Sequence, residues 1–202
     1  MICVESASKQ EFSVEFDEIL RYLGYQNAEP EPIIKKQIEA VTDEVISALN
    51  CYACYHLCDI FVANDTIDFG VFSVTSHHLS KTLSGCRQAF LFCATIGAGV
   101  DRIIAKYSQT KPSAAVIAQA AGTAAVESFC DLLCRRLVEK QNDKNISLRP
   151  RFSPGYGDFP LSYQKEIFRV LDCAKHIGVS LTESLMMTPS KSVSAVIGIT
   201  SE

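Results

Sequence analysis

The fold turns on the reading of Ala89-Phe-Leu-Phe-Cys-Ala-Thr95-Ile-Gly-Ala-Gly99. The nearly continuous apolar run from Ala89 to Thr95 reads as a strand buried on both faces, and the residues after it predict a helix over Gly97–Tyr107. A glycine-rich turn between strand and helix lets a ligand approach backbone N–H groups at a helix N-terminus, as the nucleotide loop of a Rossmann-type methyltransferase does. The third glycine of that fingerprint is missing here, and no acidic residue is placed at the end of a following strand to hold a ribose. The turn therefore reads as structural.

Upstream, alternation over Phe12–Phe16 predicts a short strand, and Asp17–Leu23 a helix closed by Gly24 as a left-handed cap. Gln26–Pro32 is a polar connector. Ile33, Ile34, Ile38, Val41, Val45 and Leu49 recur at three- and four-residue steps, so Glu31–Leu49 reads as an amphipathic helix with Pro32 in its first turn. Cys51–Val62 and Ile67–Val74 are rich in aromatic and β-branched residues and read as strands joined by a turn at Asn64-Asp65. His77–Leu83 is a short helix. Downstream, Ser113–Glu139 is the longest helix, Ala-rich at first and then with Val126, Phe129, Leu133 and Leu137 on one face. Asn142–Pro160 reads as loop, Tyr163–His176 as another amphipathic helix and Val193–Ile199 as a last strand. Strands and helices do not alternate as regular βαβ units. The expected class is therefore α+β, a mixed or antiparallel sheet with several helices. With no repeat and no linker, residues 1–202 are expected to form one domain, long enough to bury roughly 70% of the surface of the unfolded chain.

Composition narrows the function. Of the 202 residues 48% are hydrophobic and 21% charged, as in an ordinary folded protein. A net charge of -4 and no basic run longer than Arg135-Arg136 argue against nucleic acid. Apolar runs such as Gln88–Ile96 are too short to span a bilayer, and Met1–Gln10 lacks the pattern of a signal peptide, so a cytoplasmic protein is expected. The nine cysteines are odd in number and lie mostly in apolar surroundings, which favours free thiols. Cys51, Cys54 and Cys58 with His56 are the one cluster where a metal is worth weighing. No second ligand pair completes it, and the alternation reads better as a strand, so no metal is expected.

Two further groupings carry chemistry. Glu127, Asp131 and Arg135 stand four residues apart along one stripe of the long helix, a row that is usually solvated. Arg149-Pro-Arg-Phe-Ser-Pro-Gly-Tyr-Gly-Asp-Phe-Pro160 strings two guanidinium groups, a tight turn and an aromatic ring through irregular backbone. Arg can grip a carboxylate with two parallel hydrogen bonds, and Gly155 permits a close approach that a side chain would block. Loops of this kind often bind ligands.

Arg151-x-x-x-Gly155-Tyr156, then Pro160, a helix, Gly178-Val-Ser-Leu-Thr-Glu-Ser184, Met187, Pro189 and Ser192-Val-Ser194 together resemble the activation domain of cobalamin-dependent methionine synthase. Glu127-Ser-Phe129 also looks like that family, and Arg21-Tyr-Leu-Gly24 and Thr95-Ile-Gly97 look like its stand-alone members. The resemblance is strong from Gly122 onward. It implies an α+β fold binding S-adenosylmethionine through Arg151, Gly155 and Tyr156 of the RxxxGY motif and through Glu127. The ligand's carboxylate suits Arg151, and its ammonium and sulfonium suit Glu127. Two departures stand out: Gly157 follows Tyr156 where the family usually has Pro, and the family's strands beyond Ser194, one with a tyrosine near the ligand, have no counterpart.

In the enzymes this resembles, cob(I)alamin is occasionally oxidised to cob(II)alamin and rescued by one electron from a flavodoxin- or ferredoxin-like donor and a methyl group from S-adenosylmethionine. The chain has no Asp-x-His-x-x-Gly cobalamin motif and no ligand set for the zinc that activates homocysteine. The resemblance thus implies a reactivation component whose cobalamin is carried by a partner, a methionine synthase or another corrinoid protein. Two other readings stay open: a docking module for a corrinoid protein that does not bind S-adenosylmethionine, and an independent Rossmann-type methyltransferase using Gly97 and Gly99.

Overall fold

A computed structural model describes residues 1–25, 28–141 and 146–201. The chain opens with strand β1 (Ile2–Ala7), helix α1 (Phe16–Tyr22), helix α2 (Pro32–Ser47) and strand β2 (Cys51–Asp59). Three short strands follow, β3 (Phe61–Ala63), β4 (Thr66–Asp68) and β5 (Ser73–Thr75), then helix α3 (His77–Thr82), strand β6 (Gln88–Thr95), helix α4 (Ala98–Thr110) and helix α5 (Pro112–Glu139). The C-terminal part holds β7 (Ile146–Leu148), a 3-10 turn (Leu161–Tyr163), α6 (Gln164–Leu171), α7 (Cys173–Ile177), β8 (Ser180–Leu181), β9 (Met187–Thr188) and β10 (Ser192–Ser201).

The main sheet runs in the order β1-β2-β6-β10-β7, and all its pairings are antiparallel. The α+β expectation holds. Side chains alternate between two cores along each central strand, as strand geometry requires. Phe90, Phe92 and Ala94 of β6 enter one core beneath α1, α2, α4 and α5, whereas Ala89, Leu91 and Cys93 enter a second beneath α6, α7 and the small sheet β3-β4-β5. This explains why β6 reads as continuously apolar. Phe92 is fully buried, and truncating it to Ala should cost about 3–5 kcal/mol. Alanines 118, 121, 124 and 125 are buried along α5 and let it approach its neighbours closely. By length and composition α5 is apolar enough to cross a membrane, yet here it lies against α4, α2, α1 and the sheet.

Several sequence expectations are corrected. Phe12–Phe16 is not a strand: Phe12 and Val14 turn into the core from irregular chain, Phe12 packs on Phe129, and the first strand is Ile2–Ala7. Cys51–Val62 divides at Ile60, whose N–H bonds Arg87. Ile67–Val74 divides at Gly70, where φ is 75°, although Asn64-Asp65 is the expected two-residue turn between β3 and β4. Ile146–Leu148, expected as loop, is a strand because it pairs with Ile199–Ser201. Tyr163–His176 is broken at Asp172, which sits left-handed at φ 45°. Gln26 and Asn27 of the predicted connector, and 142–145 of the predicted loop, lie outside the described residues.

The glycine turn after β6 is structural. A Cβ on Gly97 would lie 3.0 Å from Asn50, and one on Gly99 would lie 2.5 Å from the Ala48 carbonyl oxygen. The space a nucleotide would need is filled by the corner between α2 and β2. An antiparallel sheet also lacks the crossover at which doubly wound folds bind cofactors.

Candidate functional site

The RxxxGY segment leaves β7 along the outer edge of β10. Arg149 N–H donates to the Gly198 carbonyl, and Phe152 exchanges both backbone hydrogen bonds with Val196. The chain then turns back on itself, with Gly155 N–H donating to the Phe159 carbonyl at 2.8 Å. Phe159 is buried under the turn against Phe152 and Tyr163, so the loop has its own apolar anchor.

A second anchor is polar. Asp158 accepts the Ser76 hydroxyl at 2.5 Å and the N–H groups of His77 and His78 at 2.7 and 3.1 Å. The Ser76 hydroxyl and these N–H donors hold its carboxyl well below the usual carboxylate range. Gly157 next to it lies at φ 56°, and a Cβ there would meet His78 Nδ1 at 2.7 Å. The loop is thereby fixed to the start of α3.

Beneath this loop lies an open cleft of about 290 Å³, near the roughly 300 Å³ at which small-molecule sites begin. Its walls include Glu127 from α5, Pro154 and Tyr156 from the loop, Leu161 from the 3-10 turn, Gln164 from the start of α6, Met186 from the β8–β9 connection, Met187 from β9, and Ser192, Val193 and Ser194 from β10. Tyr156 and Met186 are more than half exposed and form an apolar rim.

Of the residues predicted from sequence, Glu127 and Tyr156 line the cleft, and Gly155 stands between two lining residues. Arg151 does not line it. The Arg151 Nη2 donates to Glu127 at 2.7 Å, and its Nη1 donates to Asp131 at 2.5 Å. Arg151 is mostly buried; desolvation alone would weaken its proton affinity, and the Asp131 carboxylate more than offsets this. Guanidinium carries five N–H donors, and among the described residues the Nε–H and one Nη2–H of Arg151 have no partner. The stripe Glu127, Asp131, Arg135 is thus not a self-contained solvated row: the two carboxylates reach across to Arg151, while Arg135 makes no ion pair among the described residues.

A family model for the activation domain of vitamin B12 dependent methionine synthase matches residues 74–202. The chain belongs to that family. This activation-domain chain also shares its fold with a crystal structure of the MetH reactivation domain bound to AdoHcy, at TM-score 0.71 and 17% identity, over 98% of this chain and 78% of that one. No curated protein matches it in sequence. The family match begins at residue 74, so the RxxxGY loop, α5 and β10 lie inside it, and β1, α1, α2 and β2 precede it.

The weighed cluster Cys51, Cys54, Cys58 and His56 does not converge in this activation domain. Cys51 enters the first core and Cys54 and Cys58 the second, because a spacing of three on a strand puts residues on opposite faces. Burial pushes the Cys51 thiol up to about 12 and the Cys58 thiol up to about 11. All nine cysteines are free.

Sequence alone does not mark Gln164, Ser194 or Asp158 as site residues. Gln164 and Ser194 are buried polar groups in the cleft wall, and Ser194 Oγ has no partner among the described residues. Ser194 stands in the Ser192-Val-Ser194 stretch that carries the family resemblance and Asp158 in the loop that holds RxxxGY, but neither stretch says which residue faces a ligand; for Gln164 the signal is a polar residue at the start of an amphipathic helix.

Proposed function

We propose that this chain binds S-adenosylmethionine in the cleft under the RxxxGY loop and presents its methyl group to cobalamin carried by a partner protein. The carrying observation is that the RxxxGY loop, inside the stretch that the family model matches, roofs a cleft whose charged wall is Glu127, itself bonded to Arg151. Glu127 takes the ammonium of the methionine moiety. Arg151 stands behind Glu127 and fixes that carboxylate in place, and Gly155 and Tyr156 close over the ligand. An unpartnered hydroxyl and a carboxylate in one cleft fit a ligand that is both polar and cationic.

The partner is a cobalamin-binding methionine synthase or another corrinoid protein, since the sequence has no cobalamin motif of its own, and one electron comes from a flavodoxin- or ferredoxin-like donor. The reduced corrinoid of the partner would supply the nucleophile for the methyl carbon, with the electron pair of the broken C–S bond left on sulfur. The chain's own part is to hold the donor in an attack geometry. The exposed apolar rim at Tyr156 and Met186 is suited to being covered when that partner docks.

Calorimetric titration of the purified chain with S-adenosylmethionine, with and without the corrinoid protein, tests the reading. Saturable one-to-one binding is expected. Corrinoid association without any S-adenosylmethionine binding would leave a docking module in its place.

A further inference from the structure

Among the described residues Glu127 is the one charged residue that lines the cleft, and several neutral polar groups line it with Glu127. Ser194 is 2% exposed, lines the cleft, and has no hydrogen-bond partner for its Oγ among the described residues. A buried hydroxyl without a partner costs on the order of 1–3 kcal/mol, so a partner supplied from outside the chain is its physical complement. The main chain of Ser194 is in the same condition. Val196 turns its N–H and C=O to the outer edge of β10, where Phe152 meets both. Strand geometry repeats every second residue, so Ser194 turns its own pair to that edge. β7 does not reach it, because its pairing covers only Ile199–Ser201.

Gln164 is 3% exposed and lines the same cleft from the start of α6. Its carboxamide makes no side-chain hydrogen bond to any described residue. Leu161, Met187 and Val193 line the same cleft and offer apolar surface to a flat ring. Among the described residues no cation lines the cleft, so Gln164 and Ser194 suit a neutral group and not a carboxylate. A carboxamide presents one donor and one acceptor in a plane, the complement of an adenine's exocyclic amino group and ring nitrogen.

We infer that Gln164 and Ser194 form the base-reading end of the cleft and take the purine of an adenosyl ligand, while the end at Glu127 takes its amino-acid part. This assignment rests on the proposed binding of S-adenosylmethionine. The two groups set specificity: a pyrimidine nucleoside or a ligand without a base leaves Ser194 and Gln164 unpaired.

The test is titration calorimetry with two ligands, S-adenosylhomocysteine and 5′-methylthioadenosine, which keeps the adenosyl group and lacks the amino acid. The unmodified chain binds both. Gln164→Leu and Ser194→Ala each weaken both ligands by the same factor, about tenfold, the loss expected of one hydrogen bond. Glu127→Gln weakens S-adenosylhomocysteine alone. Ser194→Ala removes a hydroxyl that has no partner in the fold, so its thermal midpoint stays level or rises while binding falls, an outcome a merely structural role would not give. The inference is overturned if Gln164→Leu and Ser194→Ala weaken neither ligand, or S-adenosylhomocysteine alone, or if the unmodified chain binds S-adenosylhomocysteine and not 5′-methylthioadenosine. Failure of the unmodified chain to bind either ligand overturns the S-adenosyl reading itself, and this inference with it.

Discussion

Arg151 holds together two carboxylates one helical turn apart, which gives it two separable tasks. Truncation to Ala should weaken S-adenosylmethionine binding by about 1–2 kcal/mol, because Glu127 loses the partner that holds it in the cleft wall. It should also lower stability by about 1 kcal/mol, since Glu127 and Asp131 are left facing each other and both are partly exposed. Lys should not restore binding, because a point charge cannot reproduce the planar fork. Arg149→Ala, at a side chain that donates to the Ser84 carbonyl, should leave the titration unchanged, and a loss there equal to that of Arg151→Ala would place the motif in the wrong frame. Gly157 explains a departure from the family in the same terms. At φ 56° it occupies a conformation closed to proline, whose ring holds φ near -65°. Gly157→Pro should therefore cost more than about 1 kcal/mol and release the Asp158 anchor, seen as a lower thermal midpoint and weaker binding together. The motif residues were legible because their types and order are distinctive. Gln164, Ser194 and Asp158 were not, because what sets them apart is burial without a partner, or a partner far along the chain.

At the level of elements, legibility followed how much of each element's stability is local. β6, α2 and α5 carry their own periodicity and appear where the sequence places them. β1 and β7 do not: β1 is an edge strand with half its residues exposed, and β7 exists through its pairing with the end of β10. The break between α6 and α7 was hidden because the apolar spacing continues across it, with Ile167, Leu171, Cys173 and Ile177 all in the second core. Asp172 bears the strain of that break in a left-handed conformation that disfavours any Cβ. Asp172→Gly should raise stability by about 1 kcal/mol, read as a higher urea midpoint at unchanged slope. An unchanged or lower midpoint would mean that the Asp side chain compensates for its backbone.

Across the whole molecule, β1 is tied to the far end of α5 by charge. Glu5 meets Lys140, Arg136 and the Tyr55 hydroxyl, and Arg136 also donates to the Ser6 carbonyl. Burial alone would raise the Glu5 carboxyl, but the bonds from Lys140 and Tyr55 outweigh it and hold it below its ordinary value. A depressed carboxylate contributes fully above its unfolded value of about 4.3, and that contribution is lost as pH falls through the folded value. Glu5→Gln should therefore destabilise the chain by about 1–2 kcal/mol at neutral pH and by less at pH 3, as denaturant titrations at the two pH values would reveal. An equal loss at both would assign the effect to packing.

The paired carboxylates on Arg151 bear on how the chain would let go of what it has used. Two anions against one cation leave the cluster with one surplus negative charge. S-adenosylmethionine carries a sulfonium and an ammonium against a single carboxylate, so it arrives cationic; once the methyl group has gone, the thioether that remains is neutral overall. On the proposed reading the same wall that attracts the donor loses its hold on the spent product, and product inhibition is relieved without any moving part. The preference for donor over product, measured as a ratio of dissociation constants, should shrink as salt is added and screens the cluster. A ratio that ignores salt would mean that shape, and not charge, tells the two apart.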